Sequence, residues 1–217
     1  MPVNHYFDEP YIREFSTRVA SVEGNNVVLE DTYFFPQGGG QTGDTGLIND
    51  IPVINTLVDR GRIIHVLEAI PTFNVGDNVK CAMDWEKRFR KMRLHSASHI
   101  VYYLMHEVFG EECTVASSGL LDENKERSDY LFNAPLDKAK LQQVEDRANA
   151  LISQHREIKT YRDPANPDVL LWEMGDWKMQ CCGTHPRNTG EIGQIRLARG
   201  KKPGKGRERI EISLVSS

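Results

Sequence analysis

DNVKCAMDWEKRFRKMRLHSASHIV, residues 77 to 101, changes character in its middle. Up to Met83 it reads as a strand. From Asp84 onward the pattern is helical. Asp84 can cap a helix that begins Trp85-Glu86-Lys87. Leu94, Ala97, Val101, Leu104, Met105 and Val108 then recur at spacings of three and four, giving one apolar stripe. Gly110 ends it. The switch places a domain boundary near residue 84, between a domain 1–84 and a domain 85–217.

Upstream of the switch, FSTRVASV, NNVVLEDTYF, TGLIND, PVINTLVD, RIIHVLEA and DNVKCAMD are rich in Val, Ile and Thr. EGNN, QGGGQ, DRG and VGD punctuate them. Short strands with such turns predict a small antiparallel barrel. Downstream, a second helix follows Asp137, with Leu141, Val144, Ala148, Leu151 and Ile152 on one face. SSGLL, SDYLFNA, REIKTY and VLLWEM read as strands. GQIRLAR and RERIEISLV form a hairpin around GKKPGKG. Two helices with four or five antiparallel strands give a two-layer domain, so the whole chain is α+β.

Apolar residues make up 39% and charged residues 27% of the 217, the balance of a soluble globular protein. No apolar run approaches the roughly 18 residues of a membrane span. MPVNHYFDEPYIREF lacks the basic and apolar regions of a secretory signal. A cytoplasmic location follows as an expectation, with Cys81, Cys113, Cys181 and Cys182 as reduced thiols or metal ligands. The net charge of −4 is unevenly spread. Eight Lys/Arg and two Glu lie between Arg187 and Arg209, and five Lys/Arg and one Glu between Glu86 and Arg93. Basic runs on an acidic chain suggest a local polyanion site.

HSASH, residues 95 to 99, puts two imidazoles one helical turn apart, on the side opposite the apolar stripe. A second stretch, QCCGTHPRNTGEIG at 180 to 193, holds Cys181 four residues and Cys182 three residues before His185. Gly183 and Pro186 suit a sharp turn there. His95, His99, Cys181 and His185 together form a set of three nitrogens and one sulfur, which suits Zn²⁺. A zinc peptidase would need HExxH and a nucleobase deaminase PCxxC, and neither pattern occurs. In Gly38-Gly39-Gly40-Gln41, consecutive glycines suit either a tight hairpin turn or a loop whose amides approach a ligand.

LHSASH, CCGTH and NTGEIG, with EPYIREF, FFPQGGGQTGDTG and VGDNVKCAMDWEKRFRKMRLH before them, resemble the editing domain of alanyl-tRNA synthetase and its free-standing relatives, the AlaX proteins. The motifs occur in the same order and cover nearly the whole chain, and the length matches the medium class. The resemblance implies a hydrolase that deacylates mischarged alanine tRNA, chiefly the seryl and also the glycyl ester. Serine and glycine differ from alanine by so little that one pocket discriminates poorly, which makes a second hydrolytic site necessary. It also implies one zinc ion on His95, His99, Cys181 and His185, with His95, His99 and Gln41 in the catalytic centre. Gly39, Gly40 and Gln41 are implied substrate contacts. Where small relatives place a threonine, near Ala116, this chain offers Thr114, Ser117 and Ser118. Where the family commonly has CGGTH, this chain has CCGTH. Arg88, Lys91, Arg93, Lys201, Lys202, Lys205 and Arg207 are expected to meet tRNA phosphates. Two other readings fit the same residues. One is a non-catalytic RNA-binding module with a structural zinc, since four protein ligands are usually a closed site. The other is editing of seryl-threonine tRNA.

Overall fold

Val, Ile and Thr crowd the first third of the chain, and there the backbone is extended. The computed structural model describes residues 3–117, 119–204 and 206–215. Its strands are β1 Val3–Asn4, β2 Glu14–Glu23, β3 Asn26–Leu29, β4 Asp31–Thr32, β5 Gly46–Ile48, β6 Ile51–Asp59, β7 Arg62–Leu67 and β8 Asn78–Met83. Strands β2-β3-β7-β6-β5-β8 close into a barrel, every pair antiparallel. The alternation of β8 shows why: Val79, Cys81 and Met83 are buried while Asn78 and Lys80 are exposed. The inward residues, among them Val27, Leu29, Phe34, Ile48 and Leu67, form one core.

Helix α1, Trp85–Phe109, follows. The Asp84 carboxylate accepts from the Lys87 amide at 3.2 Å, as the cap requires. Gly110 takes the left-handed conformation, φ +57°, that ends the helix. The contacts of the chain divide it into two units, Met1–Phe89 and Arg90–Ser217. The helix begins in the first and continues through the second.

In the second unit β9 Cys113–Ser117, β10 Lys125–Phe132, α2 Lys138–Ile152, β11 Lys159–Asp163, β12 Asn166–Met174, β13 Trp177–Gln180, β14 Ile195–Arg199 and β15 Arg207–Leu214 succeed one another. They form two antiparallel sheets, β14-β15-β10-β9 and β11-β12-β13. Asp137 caps α2, its carboxylate accepting from the Ala139 and Lys140 amides. Leu141, Val144, Ala148 and Ile152 are buried on one face, as their spacing predicts. The core joins that face to Leu94, Ala97, Ile100, Val101, Leu104 and Met105 of α1 and to Tyr130, Ile210 and Ile212 of the sheet.

Two elements differ from the sequence reading. For SSGLL, β9 lies earlier, on CTVAS, and Gly119 and Leu120 are in no strand. At Gly119 a Cβ would come within 0.9 Å of the Arg127 carbonyl oxygen, so the backbones approach too closely there for any side chain. The other is β13, WKMQ, which pairs with the end of β12 through a turn with Gly175 at φ +60°. Among the described residues no helix is long and apolar enough to cross a membrane.

Candidate metal centre

On α1, His95 and His99 are one turn apart, with ring centroids separated by 4.8 Å. The third imidazole arrives from the turn after β13. His185 is 3% exposed, and its ring centroid lies 4.4 Å from that of His95 and 5.1 Å from that of His99. Cys181 completes the set. Its Sγ is 3.4 Å from His95 Nε2 and 3.2 Å from His185 Nε2. The ligand atoms of all four residues lie within 4.8 Å of one another. A tetrahedral ion bonded at about 2.0 Å to nitrogen and 2.3 Å to sulfur sets its ligand atoms about 3.3–3.5 Å apart. The two sulfur–nitrogen distances, 3.4 and 3.2 Å, are close to that spacing.

The local chemistry fits a cation. Among the described residues nothing hydrogen-bonds the buried Nε2 of His99, a loss that a metal bond would make good. Burial pushes His95 down to about 4. Burial, then the neighbouring imidazoles, holds His99 and His185 well below the ordinary histidine range. All three rings are therefore neutral at pH 7, the form that donates a lone pair. Burial also pushes the Cys181 thiol up to about 12, partly opposed by the Gly183 amide, which donates to Sγ at 3.4 Å. A divalent cation would reverse that, since a coordinating thiol is deprotonated.

Sequence reasoning missed two supports. Ser96 Oγ lies 2.9 Å from His185 Nδ1, so a proton on Nδ1 shared with Ser96 leaves Nε2 for the ion. Ser96 is the second letter of HSASH, a position the spacing rule passes over. Trp172 is fully buried and packs edge-on against His99, centroids 4.9 Å apart. Gly183 is not among the glycines with positive φ, so its part in the turn is the amide that faces sulfur rather than a left-handed backbone. Cys182 is exposed and outside the group.

In the first unit Gly38 and Gln41 exchange both backbone hydrogen bonds, at 3.1 and 2.9 Å. Gly39 and Gly40 between them have φ +56° and +88°. This is a two-residue turn of the kind that needs positive φ at both central positions. Gln41 is buried. The base of the loop is closed by Asp44, whose Oδ2 accepts from the Phe35 amide and from Arg88 Nε, both at 2.7 Å.

The other residues expected at the site are placed as follows. Arg88 is 1% exposed, and its guanidinium donates to Asp44 and to the carbonyls of Pro10 and Tyr33, which gives it a structural role. Lys91 is 2% exposed. Arg93 is half-buried, its Nε donating to the Ile192 carbonyl at 2.7 Å. Thr114 pairs with exposed Leu131, and Ser117 with Asp129, whose carboxylate is held by Arg209 at 2.7 and 3.0 Å. Cross-strand partners share a face, and Phe132, next to Leu131, turns the other way onto Phe109 of α1. Thr114 and Ser117 therefore stand on the sheet face away from the histidine helix. Lys201, Lys202 and Arg207 are exposed, with Lys202 Nζ 3.1 Å from Glu208. Ser118 and Lys205 lie outside the described residues.

The family described as tRNA synthetases class II (A) matches residues 7–87. The family described as threonyl and alanyl tRNA synthetase second additional domain matches residues 171–211, which include Cys181 and His185. The alanine–tRNA ligases of Saccharolobus islandicus and Sulfurisphaera tokodaii are 33% and 31% identical over 95% of this chain. The chain spans only about a quarter of their length, 26% and 25%. The alanyl-tRNA editing protein AlaX-M of Pyrococcus horikoshii is 32% identical, and the match covers 96% of each chain. An end-to-end match at that identity, on a chain that gathers HSASH and CCGTH into one group, means that the chain belongs to the AlaX family of alanyl-tRNA editing proteins.

Proposed function

We propose that the chain is a free-standing aminoacyl-tRNA deacylase that hydrolyses seryl, and also glycyl, esters of alanine tRNA at a site built on one zinc ion. The convergence of His95, His99, Cys181 and His185 carries this reading, since these residues bring three neutral imidazoles and a thiol to one point. A bound zinc ion supplies Lewis acidity toward an ester. The chain's own residues do the rest. Ser96 fixes the His185 ring, Trp172 packs edge-on against His99, and the Gly183 amide steadies the Cys181 sulfur. Hydrolysis is directed at the acceptor end of tRNA, whose phosphates would be met by the exposed Lys201, Lys202 and Arg207.

One observation favours a second reading. Four protein ligands make a closed set, the arrangement of structural zinc. In that case the protein binds RNA without hydrolysing it. The experiment is deacylation of seryl-, glycyl- and alanyl-alanine tRNA by purified protein. Release of serine at least about tenfold faster than of alanine is expected, the order of a single well-used polar contact. Tight tRNA binding with no release of any amino acid would select the structural reading.

A further inference from the structure

The stripe of α1 that carries His95 and His99 continues beyond them. At about 100° per residue, Tyr102 lies one turn on and about 60° to one side of His99, and Tyr103 about 40° to the other. His106 lies two turns on and nearly in line. Burial changes along the same row. His99 Nε2 is buried, Tyr102 and Tyr103 are half-buried and His106 is exposed. The row therefore runs from the metal group out to solvent, with a tyrosine on each flank.

Strand β13 holds one flank in place. The Trp177 ring stacks on Tyr103, centroids 4.8 Å apart and planes 4° from parallel. Tyr103 Oη donates to the Lys178 carbonyl at 2.7 Å and accepts from the Lys178 amide at 3.1 Å. After Gln180 the same strand delivers Cys181. The two elements that bring the ligands together are thus joined a second time, one helical turn further out. Tyr103 and Trp177 rest on the core, which accounts for them. Tyr102 differs. It meets Tyr103 and His106 edge-on, centroids 5.3 and 4.8 Å apart, and among the described residues it is not packed on that core. A half-open aromatic ring held at a fixed angle is a surface for a second flat ring.

An aminoacyl-tRNA supplies that ring. Its ester and its terminal adenine hang from one ribose. With the ester at the four ligands, the base has only the span of a sugar in which to land, and Tyr102 stands one helical turn, about 5.4 Å, beyond His99. We infer that Tyr102, braced by Tyr103 and Trp177, is the platform on which the terminal adenine stacks when the ester lies at the metal group. The inference rests on the reading of the site as an aminoacyl-ester hydrolase. It makes Tyr102 a positioning residue that serves seryl and glycyl esters alike.

The test uses Tyr102→Leu, which removes the ring, and Tyr102→Phe, which keeps it. Full-length, zinc-loaded protein is titrated with two non-hydrolysable amides of serine, one on 3′-amino-adenosine and one on the same amino-ribose without a base. Wild type should bind the adenosine amide at least about tenfold more tightly, the order of one stacked base. Tyr102→Leu should erase that preference while binding the baseless amide as wild type does, and Tyr102→Phe should retain it. On seryl-alanine tRNA, Tyr102→Leu should raise KM by a similar factor and leave kcat within about twofold. A preference that survives Tyr102→Leu overturns the assignment. So does an equal weakening of both amides, the mark of a disturbed metal centre. Wild-type protein that hydrolyses no ester overturns the hydrolase reading instead, and the two amides still decide the stacking, since neither needs to be hydrolysed.

Discussion

Cys181 and Cys182 are adjacent in sequence and differ in everything that matters to a metal. One sulfur lies within 3.4 Å of two imidazoles, while the other side chain is exposed. Cys181→Ala should therefore lose the bound metal, and Cys182→Gly should keep about one ion per chain, as elemental analysis would report; the opposite result would shift the ligand register by one residue. Glu126 of β10, 4% exposed, makes a prediction about pH. Burial raises its carboxyl to about 7, partly opposed by Ser128 and by the Arg127 charge and assisted by Asp129. Tyr130, on the same strand, feels the Glu126 charge. The folded state holds the proton more tightly than the unfolded chain, so stability is highest below about 4.5 from this group and falls as pH rises toward 7. The loss is on the order of 3 kcal/mol. Denaturant titrations at pH 5 and pH 8 should show that loss in wild type and not in Glu126→Gln. A wild-type profile identical to that of Glu126→Gln would mean that Glu126 is solvated. The four candidate ligands were legible in the sequence because HxxxH and CxxxH are spacing rules. The brace on Tyr103 was not, because nothing in WKMQ says that the Trp177 ring stacks there.

At the scale of elements, the barrel strands and both helices follow from local composition, period and caps. Misreadings came where a tertiary contact overrides local preference, as at Gly119 against Arg127, or where a strand is too short to have a period, as in WKMQ. The Gly39-Gly40 stretch was legible as a pair of alternatives, a hairpin turn or a loop close to a ligand, and the positive φ of both glycines serves either. Gly40→Val should cost about 1–2 kcal/mol of stability, because φ of +88° is unfavourable to any side chain and worst for a branched one. A thermal melt with no shift would show that the turn relaxes freely. The hairpin β14–β15 carries the exposed cations. Replacing Lys201 and Arg207 with Ala should reduce the log–log salt slope of tRNA binding by roughly two, near one per phosphate contact. An unchanged slope would place the RNA elsewhere. Charge runs in sequence do not distinguish such exposed cations from a buried one such as Arg88.

For the molecule as a whole, two claims stand on different parts of the chain. The first unit is held by a buried ion pair: Arg88 and Asp44 are each 1% exposed, and Arg88 also ties Pro10 and Tyr33 to the start of α1. Arg88→Met leaves Asp44 buried without that charge and should lower stability by about 3–5 kcal/mol. A cost under about 1 kcal/mol in a denaturant titration would show that the pair is dispensable. The second unit carries the central claim, that His95, His99, Cys181 and His185 hold one zinc ion on which ester hydrolysis depends. The direct measurement is a zinc titration of metal-free protein, followed at once by zinc content, circular dichroism and deacylation of seryl-alanine tRNA. Deacylation should be absent from the folded metal-free protein and return in step with zinc, reaching full rate at one ion per chain. Full deacylation by folded, metal-free protein would contradict the account.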